Sequence, residues 1–222
     1  PDREYKLEGY LFPDTYLLHE GMTAHDIIDM MLARFDQMYT KEYQKAVADS
    51  GHTLDEIVTV ASMIEKAKAD SDVLIFVAHW GKEMDSMPTE YEKEWATFLM
   101  QQGVDVVIGG HPHILQPYGT MSDKSGHSML IFYSLGNFVS TQESLDALLE
   151  GMGCFTIQKT VQDGKTSIEI LNAQVKPMVM HYNKETGVFG PYMLSDYTEE
   201  LASQHGVRTS LGDDSFTLAN LQ

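Results

Sequence analysis

The chain has 222 residues, of which 43% are hydrophobic and 22% charged, a composition that is typical of globular proteins and excludes a disordered one. The formal net charge of −18 disfavours nucleic acid and anionic membranes as partners, because binding to phosphates depends on Lys and Arg. The single cysteine, Cys154, excludes an internal disulfide and a multi-cysteine zinc site. Since the sequence begins at Pro1 without an initiator Met, we expect a processed product or a fragment.

The N-terminal third of the sequence predicts a helical segment after a short extended stretch. Residues 5–18 are aromatic and apolar and contain a glycine and a proline, a pattern that predicts a short strand, a turn and an extended piece. Three helices are expected next, because a threonine suited to the N-cap precedes each of three amphipathic stretches: Thr23, Thr40 and Thr53. The polar stretch 66–72 (KAKADSD) then marks the expected boundary between a segment at 1–68 and a domain at 69–222.

The second part of the sequence predicts an α/β fold. Three apolar runs have the composition of buried parallel strands: Val73–Ala78, Val104–Ile108 and Met129–Tyr133. A helix predicted from Pro88 to Gln102 separates the first two runs, and strand–helix–strand at this spacing indicates a right-handed parallel crossover. Two β-rich runs around Asp163-Gly164 predict an antiparallel hairpin, and a last helix is expected to begin near Ser195 and end at Gly206.

Histidines follow two of the predicted parallel strands at the point where each strand ends. His79 closes the first run, and the second run leads into Gly109, Gly110, His111, Pro112 and His113. Because ligands gather at the carboxyl ends of parallel strands, we expect the three histidines to lie together. The glycines would let the backbone approach a ligand closely, and neutral imidazole is the commonest protein ligand for metals such as zinc, manganese and iron. Loop histidines bonded to carbonyls are the alternative, but three at adjacent strand ends favour a metal site.

Other polar residues near these strand ends have less specific interpretations. Asn137 follows the third run and is a candidate to orient a ligand or bind phosphate, with Ser134 as a hydrogen-bond donor to substrate. A tight glycine turn in which Asn137 satisfies loop carbonyls is the alternative. Glu83 belongs to an acidic cluster that we interpret as a solvated loop and helix start.

The strand-end motifs resemble the CapA family of capsule and poly-γ-glutamate biosynthesis proteins. The resemblance is carried by "DVLIFVAHWGKE", "GVDVVIGGHPHILQP", "IFYSLGNFVSTQ" and "KPMVMHYN", which cover most of residues 70–205. It implies the C-terminal part of a calcineurin-like metallophosphoesterase fold, with a divalent metal held by His79, His111 and His113, and His111 in the catalytic centre. The family's first half supplies further ligands through an Asn-Asn-His turn that has no counterpart here, so the resemblance implies an incomplete ligand set.

The N-terminal segment resembles a second family, the MltG/YceG endolytic murein transglycosylases. The motifs "KLEGYLFPDTY" and "TLDEIVTVASMIEKA" carry this resemblance over roughly residues 3–67, and it implies that Glu65 is the catalytic acid/base. Glu65 follows Val58 and Ala61 at helical spacing, so we expect it beside the apolar stripe of its helix, where a raised pKa would suit a general acid. A surface Glu at the end of a helix is the alternative on spacing alone.

Three functional hypotheses follow. The first is a CapA-like protein whose zinc, manganese or iron ion draws in phosphate or carboxylate groups, with phosphoester hydrolysis as its reaction. The second is a peptidoglycan transglycosylase that uses Glu65, and the third is a non-catalytic chimeric fragment. Both resemblances imply a cell-surface polymer as partner, poly-γ-glutamate or peptidoglycan glycan, and a location at the extracellular face of the membrane or in the cell envelope. Bare sheet edges would favour a homodimer.

Overall fold

The computed structural model describes residues 6–7 and 9–221, and the chain divides into two compact units between Asp70 and Ser71. The first unit contains α1 (Ala24–Met38), α2 (Lys41–Ser50) and α3 (Leu54–Asp70). The second contains, in chain order, β1 (Ile75–His79), α4 (Glu90–Gln101), β2 (Val106–Gly110), β3 (Tyr118–Ser122), β4 (Ser128–Phe132), α5 (Leu145–Leu148), β5 (Leu149–Gln162), β6 (Lys165–Asn183), β7 (Val188–Met193), a 3-10 turn (Leu194–Asp196), α6 (Glu199–Gln204), α7 (Gly206–Leu211) and α8 (Leu218–Leu221).

The three helices of the first unit begin at the predicted threonines. The side chains of Thr23 and Thr40 accept hydrogen bonds from backbone N–H groups in the first turns of α1 and α2. Thr53 and Glu56 form the reciprocal capping box of α3, in which the Glu56 carboxylate accepts from the Thr53 N–H at 2.8 Å. Gly51 ends α2 in the left-handed conformation, which glycine adopts without steric penalty.

The short strand predicted within residues 5–18 was wrong. The described part of the stretch 5–18 forms turns and irregular backbone instead of a strand, because Gly9 turns the chain at φ 85° against α3. A methyl group at Gly9 would lie 2.8 Å from Val58 Cγ1, so the turn packs tightly there. The division between the two units lies inside the polar stretch 66–72, and α3 continues into this stretch as far as Asp70, because Lys and Ala are good helix formers.

The second unit is built on a mixed four-stranded sheet in the order β1-β2-β4-β3. Strands β1, β2 and β4 are parallel, β3 is antiparallel to β4, and α4 provides the crossover from β1 to β2. The predicted α/β class is therefore confirmed. The helix itself begins one residue after its N-cap Thr89, so Pro88 precedes it.

Strand β1 differs from its prediction in burial. A continuous apolar run suggested a strand covered on both faces, yet β1 is at an edge of its sheet and pairs with β2 alone among the described strands. Ile75 and Val77 lie on one face of the strand and are exposed, at 42% and 76%, whereas Ala78 on the other face is buried. The apolar composition correctly indicated a strand of a parallel sheet, but side-chain burial depends on what packs against each of its two faces.

The predicted hairpin forms the first two strands of a second sheet, β5-β6-β7, which is antiparallel throughout. The two sheets share a core in which Phe132 packs on Phe155 at 6.3 Å between ring centroids. A second core joins β6 to the C-terminal helices. The last predicted helix was wrong in its bounds: α6 is capped by Thr198 and ends at Gln204, and the buried His205 then caps α7. No helix among residues 6–7 and 9–221 is long and apolar enough to cross a membrane.

Candidate metal centre

The parallel pairing of β1 and β2 places the histidines of the two strand ends side by side. His79 lies opposite Gly110 in the register of the two strands, and the Trp80 N–H donates to the Gly110 carbonyl at 3.0 Å. The rings of His79 and His111 are 4.6 Å apart between centroids, and those of His111 and His113 are 6.0 Å apart. The predicted proximity of the three histidines is therefore present in the structure.

The backbone of the histidine loop adopts an uncommon conformation. His111 and His113 have φ values of 102° and 65°, a region that L-residues seldom occupy. Such residues cost about 1–3 kcal/mol each and persist where the surrounding structure holds them in place. Here the Met84 N–H donates to the Pro112 carbonyl at 2.9 Å, which ties the loop after β1 to the histidine loop. Strained, tightly held backbone of this kind clusters at functional sites.

Glu83 is the residue that sequence reasoning missed. One carboxylate oxygen of Glu83 and one ring nitrogen each of His111 and His113 all lie within 4.8 Å of one another. Glu83 is exposed and follows His79 by four residues, so the loop held to Pro112 carries it to the histidines. Four other acidic residues follow it as far as Glu94, and only the path of the loop distinguishes Glu83 from them.

Asn137 sets the orientation of His113. Its amide Nδ2 donates to the carbonyls of His113 and Ala147, at 3.0 and 3.1 Å, which leaves the amide oxygen as an acceptor only. That oxygen lies 2.7 Å from His113 Nδ1, so Nδ1 must carry the proton. The lone pair of His113 is therefore on Nε2, which is the ring nitrogen available to a metal. Asn137 satisfies the loop carbonyls, which was the alternative interpretation, and it also orients the imidazole.

Gly109 and Ser134 have packing or turn-forming positions, and Gly110 faces open space. A methyl group at the buried Gly109 would collide with the Tyr133 carbonyl oxygen and lie 2.5 Å from the Trp80 indole nitrogen, which donates to that same oxygen. Ser134 is 1% exposed and accepts a hydrogen bond from the Gly136 N–H. Gly110 has open space where a side chain would begin. Direct contact of these residues with a ligand stays a prediction.

The donor set suits a divalent transition metal. Two imidazole nitrogens and one carboxylate oxygen form a combination that binds zinc and iron in enzymes. Ligand atoms bound at about 2.1 Å to a tetrahedral ion are about 3.4 Å apart. Side-chain rotations that move the donor atoms of Glu83, His111 and His113 by about an ångström would therefore bring them to these distances around an ion. His79 lies outside this group, but its ring is next to the ring of His111, at 4.6 Å between centroids.

Comparison with known sequences identifies the family. The sequence model of the family described as "Bacterial capsule synthesis protein PGA_cap" matches residues 21–142, more than half of the chain. The chain belongs to this family. The PGA_cap match contains β1, β2, β4 and all four residues Glu83, His79, His111 and His113, and it also includes the helices of the first unit. The mixed α/β sheet is consistent with a partial calcineurin-like domain.

The relatives include both CapA proteins and an endolytic murein transglycosylase. The chain is 38% identical over 80 residues to the PGA biosynthesis protein CapA of Bacillus subtilis, which is 36% of this chain and 20% of that protein. It is 39% identical over 75 residues to the capsule biosynthesis protein CapA of Bacillus anthracis, covering 34% of this chain and 17% of the relative. An endolytic murein transglycosylase of Streptococcus pneumoniae is 36% identical over 88 residues, covering 39% and 16%. The matches therefore span a fifth or less of these relatives.

Glu65 has a setting different from the expected one. Its side chain is 71% exposed and its carboxylate lies 3.8 Å from Lys68 Nζ, whereas an apolar setting was expected from helical spacing. Ala61, four residues before it, is partly buried, but Glu65 projects into solvent. The acid/base role implied by the transglycosylase resemblance stays a prediction.

Proposed function

We propose that this member of the PGA_cap family is a metal-binding module of capsule biosynthesis that takes anionic groups at the Glu83–His111–His113 site. The observation that supports this most is the convergence of the three donors within 4.8 Å, with His113 held in the tautomer that presents Nε2. His79 adjoins the group and is the fourth ligand in this proposal. The candidate ions are zinc, manganese and iron.

The charge of the chain makes a local cation necessary for such a ligand. A protein with a net charge of −18 repels phosphate and carboxylate groups over most of its surface. Surface charges act over about 8 Å at physiological salt, so an ion in the site would dominate the potential there. A capsule polymer such as poly-γ-glutamate, or a phosphorylated precursor, is the class of partner proposed, and the cell envelope is the proposed location.

Phosphoester hydrolysis is the reaction proposed for the site. A bound divalent ion would supply a Lewis acid for the phosphoryl oxygens. Four protein ligands would fill the coordination sphere of tetrahedral zinc, whereas an octahedral ion with the same ligands would keep two positions open for substrate and water. The proposed reaction therefore favours manganese or iron over zinc, with Asn137 fixing the His113 ring throughout.

Metal analysis tests the proposal. The chain is purified without chelator and its metal content measured beside a His111→Ala/His113→Ala variant and a control, His19→Ala/His25→Ala, which removes two histidines of the first unit. We expect close to one equivalent of metal in parent and control and a loss in the site variant. Equal metal in all three proteins, or none in the parent after supply of each ion, would refute the site. Hydrolysis of a phosphoester by the loaded parent, compared with the same variants, tests the reaction.

Glycan cleavage at Glu65 is the second candidate function. It is favoured by the identity to the Streptococcus pneumoniae endolytic murein transglycosylase. A Glu65→Gln variant should lose all release of glycan fragments from peptidoglycan, whereas Glu42→Gln, at an exposed position of α2, should keep it. Unchanged activity in Glu65→Gln, or no activity in the parent, would exclude this candidate.

A further inference from the structure

Exposed apolar side chains flank the proposed metal centre. Met84 and Met87, in the loop that carries Glu83, are 48% and 58% exposed. Phe138 and Val139, which follow Asn137 directly, are 68% and 53% exposed. We call these four residues the apolar rim.

Hydrogen bonds place the two halves of the rim around one loop. The Met84 N–H bonds to the Pro112 carbonyl at 2.9 Å, and the Met87 carbonyl accepts from Gln116 Nε2 at 3.3 Å. On the other side, Asn137, which precedes Phe138, bonds to both the ring and the carbonyl of His113. Both rim segments are thus attached to residues 112–116. This stretch contains His113, and His111 directly precedes it. The two rim segments and the metal centre are therefore held by the same loop of the second unit.

Single exposed apolar residues are common, whereas several exposed apolar side chains grouped beside a site point to a ligand. Here the apolar surface adjoins the one place where this acidic chain is proposed to carry a cation. A ligand that satisfies both features has an anionic head and an apolar tail. Methionine and phenylalanine side chains suit an alkyl chain, because methionine adapts its shape and an aromatic ring offers a large contact area.

We propose that the site takes an amphiphilic phosphate ester, a phosphoryl head joined to a long acyl or prenyl chain, with the head at the metal centre and the chain on the apolar rim. This inference rests on the proposed metal centre and names the substrate class for it. A polymer phosphate without an apolar part, or a protein partner that covers the rim, would not show the dependence on chain length described below.

Binding of alkyl phosphates below their micelle concentration tests the proposal. Ethyl, butyl and octyl phosphate are titrated by calorimetry into the metal-loaded chain. Complete burial of a methylene strengthens binding about fourfold, and an open rim that covers half of each group should give roughly twofold. We therefore expect octyl phosphate to bind roughly 60-fold more tightly than ethyl phosphate, across six added methylenes at about twofold each.

Variants separate the rim from the metal. Met87→Ser/Phe138→Ser should remove most of the gain for octyl phosphate and leave the affinity for ethyl phosphate unchanged. The control Ile157→Ser/Val161→Ser removes two exposed apolar side chains from β5, at 44% and 64% exposure, and should behave as the parent. Equal affinities for the three esters, or the same chain-length dependence in the rim variant, would overturn the proposal. Octyl phosphate that binds equally well to the metal-free chain would also overturn it.

The outcomes of these experiments distinguish a failure of the apolar rim from a failure of the proposed metal centre. If the metal centre does not exist, ethyl phosphate shows no metal-dependent binding and the metal analysis is negative as well. If the metal centre exists but the rim plays no part, ethyl phosphate binds in the presence of metal and added methylenes change nothing.

Discussion

Glu150 should make the folded protein less stable as the pH rises through neutrality. Its side chain is 1% exposed at the start of β5, and neither carboxylate oxygen has a hydrogen-bond partner among the residues that the structure describes. Burial raises the pKa of this carboxyl from 4.5 to about 8. The folded chain therefore keeps a proton at pH 7 that the unfolded chain has released.

The sign and size of the effect follow from this difference in proton binding. Between the unfolded and folded pKa values the native state binds more protons, so stability is lost as the pH rises from about 4.5 to about 8. At 1.36 kcal/mol per pKa unit, the cost is about 1 kcal/mol at pH 5 and about 3 kcal/mol at pH 7. A Glu150→Gln variant, which cannot ionise, should escape this change. The amide still buries polar atoms, so the expected signal is the pH dependence of the difference between variant and parent.

Urea unfolding at pH 5 and pH 7 measures this difference. The two tryptophans, Trp80 and Trp95, both lie in the second unit and report its unfolding by fluorescence. Relative to the parent, Glu150→Gln should gain about 2 kcal/mol between the two pH values, which is roughly 1 M in urea midpoint. The control Glu169→Gln, at an exposed position of β6, should show little change. A difference between Glu150→Gln and parent that is the same at both pH values would refute the reasoning.

Three further predictions concern residues with defined contacts. Burial lowers the pKa of His205 to about 4, so this residue should cost the folded protein about 2 kcal/mol of stability at pH 5 relative to pH 7, because the unfolded chain takes up a proton below about 6.5. His205→Asn, whose side-chain oxygen can replace Nδ1 as the acceptor for the Val207 N–H, should gain about 2 kcal/mol relative to the parent between pH 7 and pH 5 in urea unfolding, and a difference that is the same at both pH values would contradict this. Asn137→Ala should weaken metal binding 10–100-fold by freeing the His113 ring, as measured by competition with a chelator, and unchanged affinity would exclude the orienting role. Gly109→Ala should destabilise the second unit by about 3 kcal/mol through collision with neighbouring backbone, whereas Gly110→Ala should cost less than about 1 kcal/mol; equal denaturation midpoints would contradict the packing account.

The sequence determined those features that depend on nearby residues. Helix starts at Thr23, Thr40 and Thr53 were predictable, because a capping threonine acts on N–H groups two or three residues away. The parallel order of β1 and β2 followed from the length of the crossover between them. The meeting of His79 and His111 then followed from geometry, since the carboxyl ends of neighbouring parallel strands lie at one edge of the sheet.

Only the tertiary structure decided which groups are covered and which converge across loops. Glu83 joins the histidines because the loop after β1 is bonded to Pro112, and no local pattern distinguishes it from the other acidic residues around it. Glu65 was expected against apolar surface from its helical spacing, but spacing gives only the face of the helix, and the side chain projects into solvent. Burial depends on contacts between residues that are distant in sequence, and for that reason the buried carboxyl of Glu150 gave no signal in the sequence.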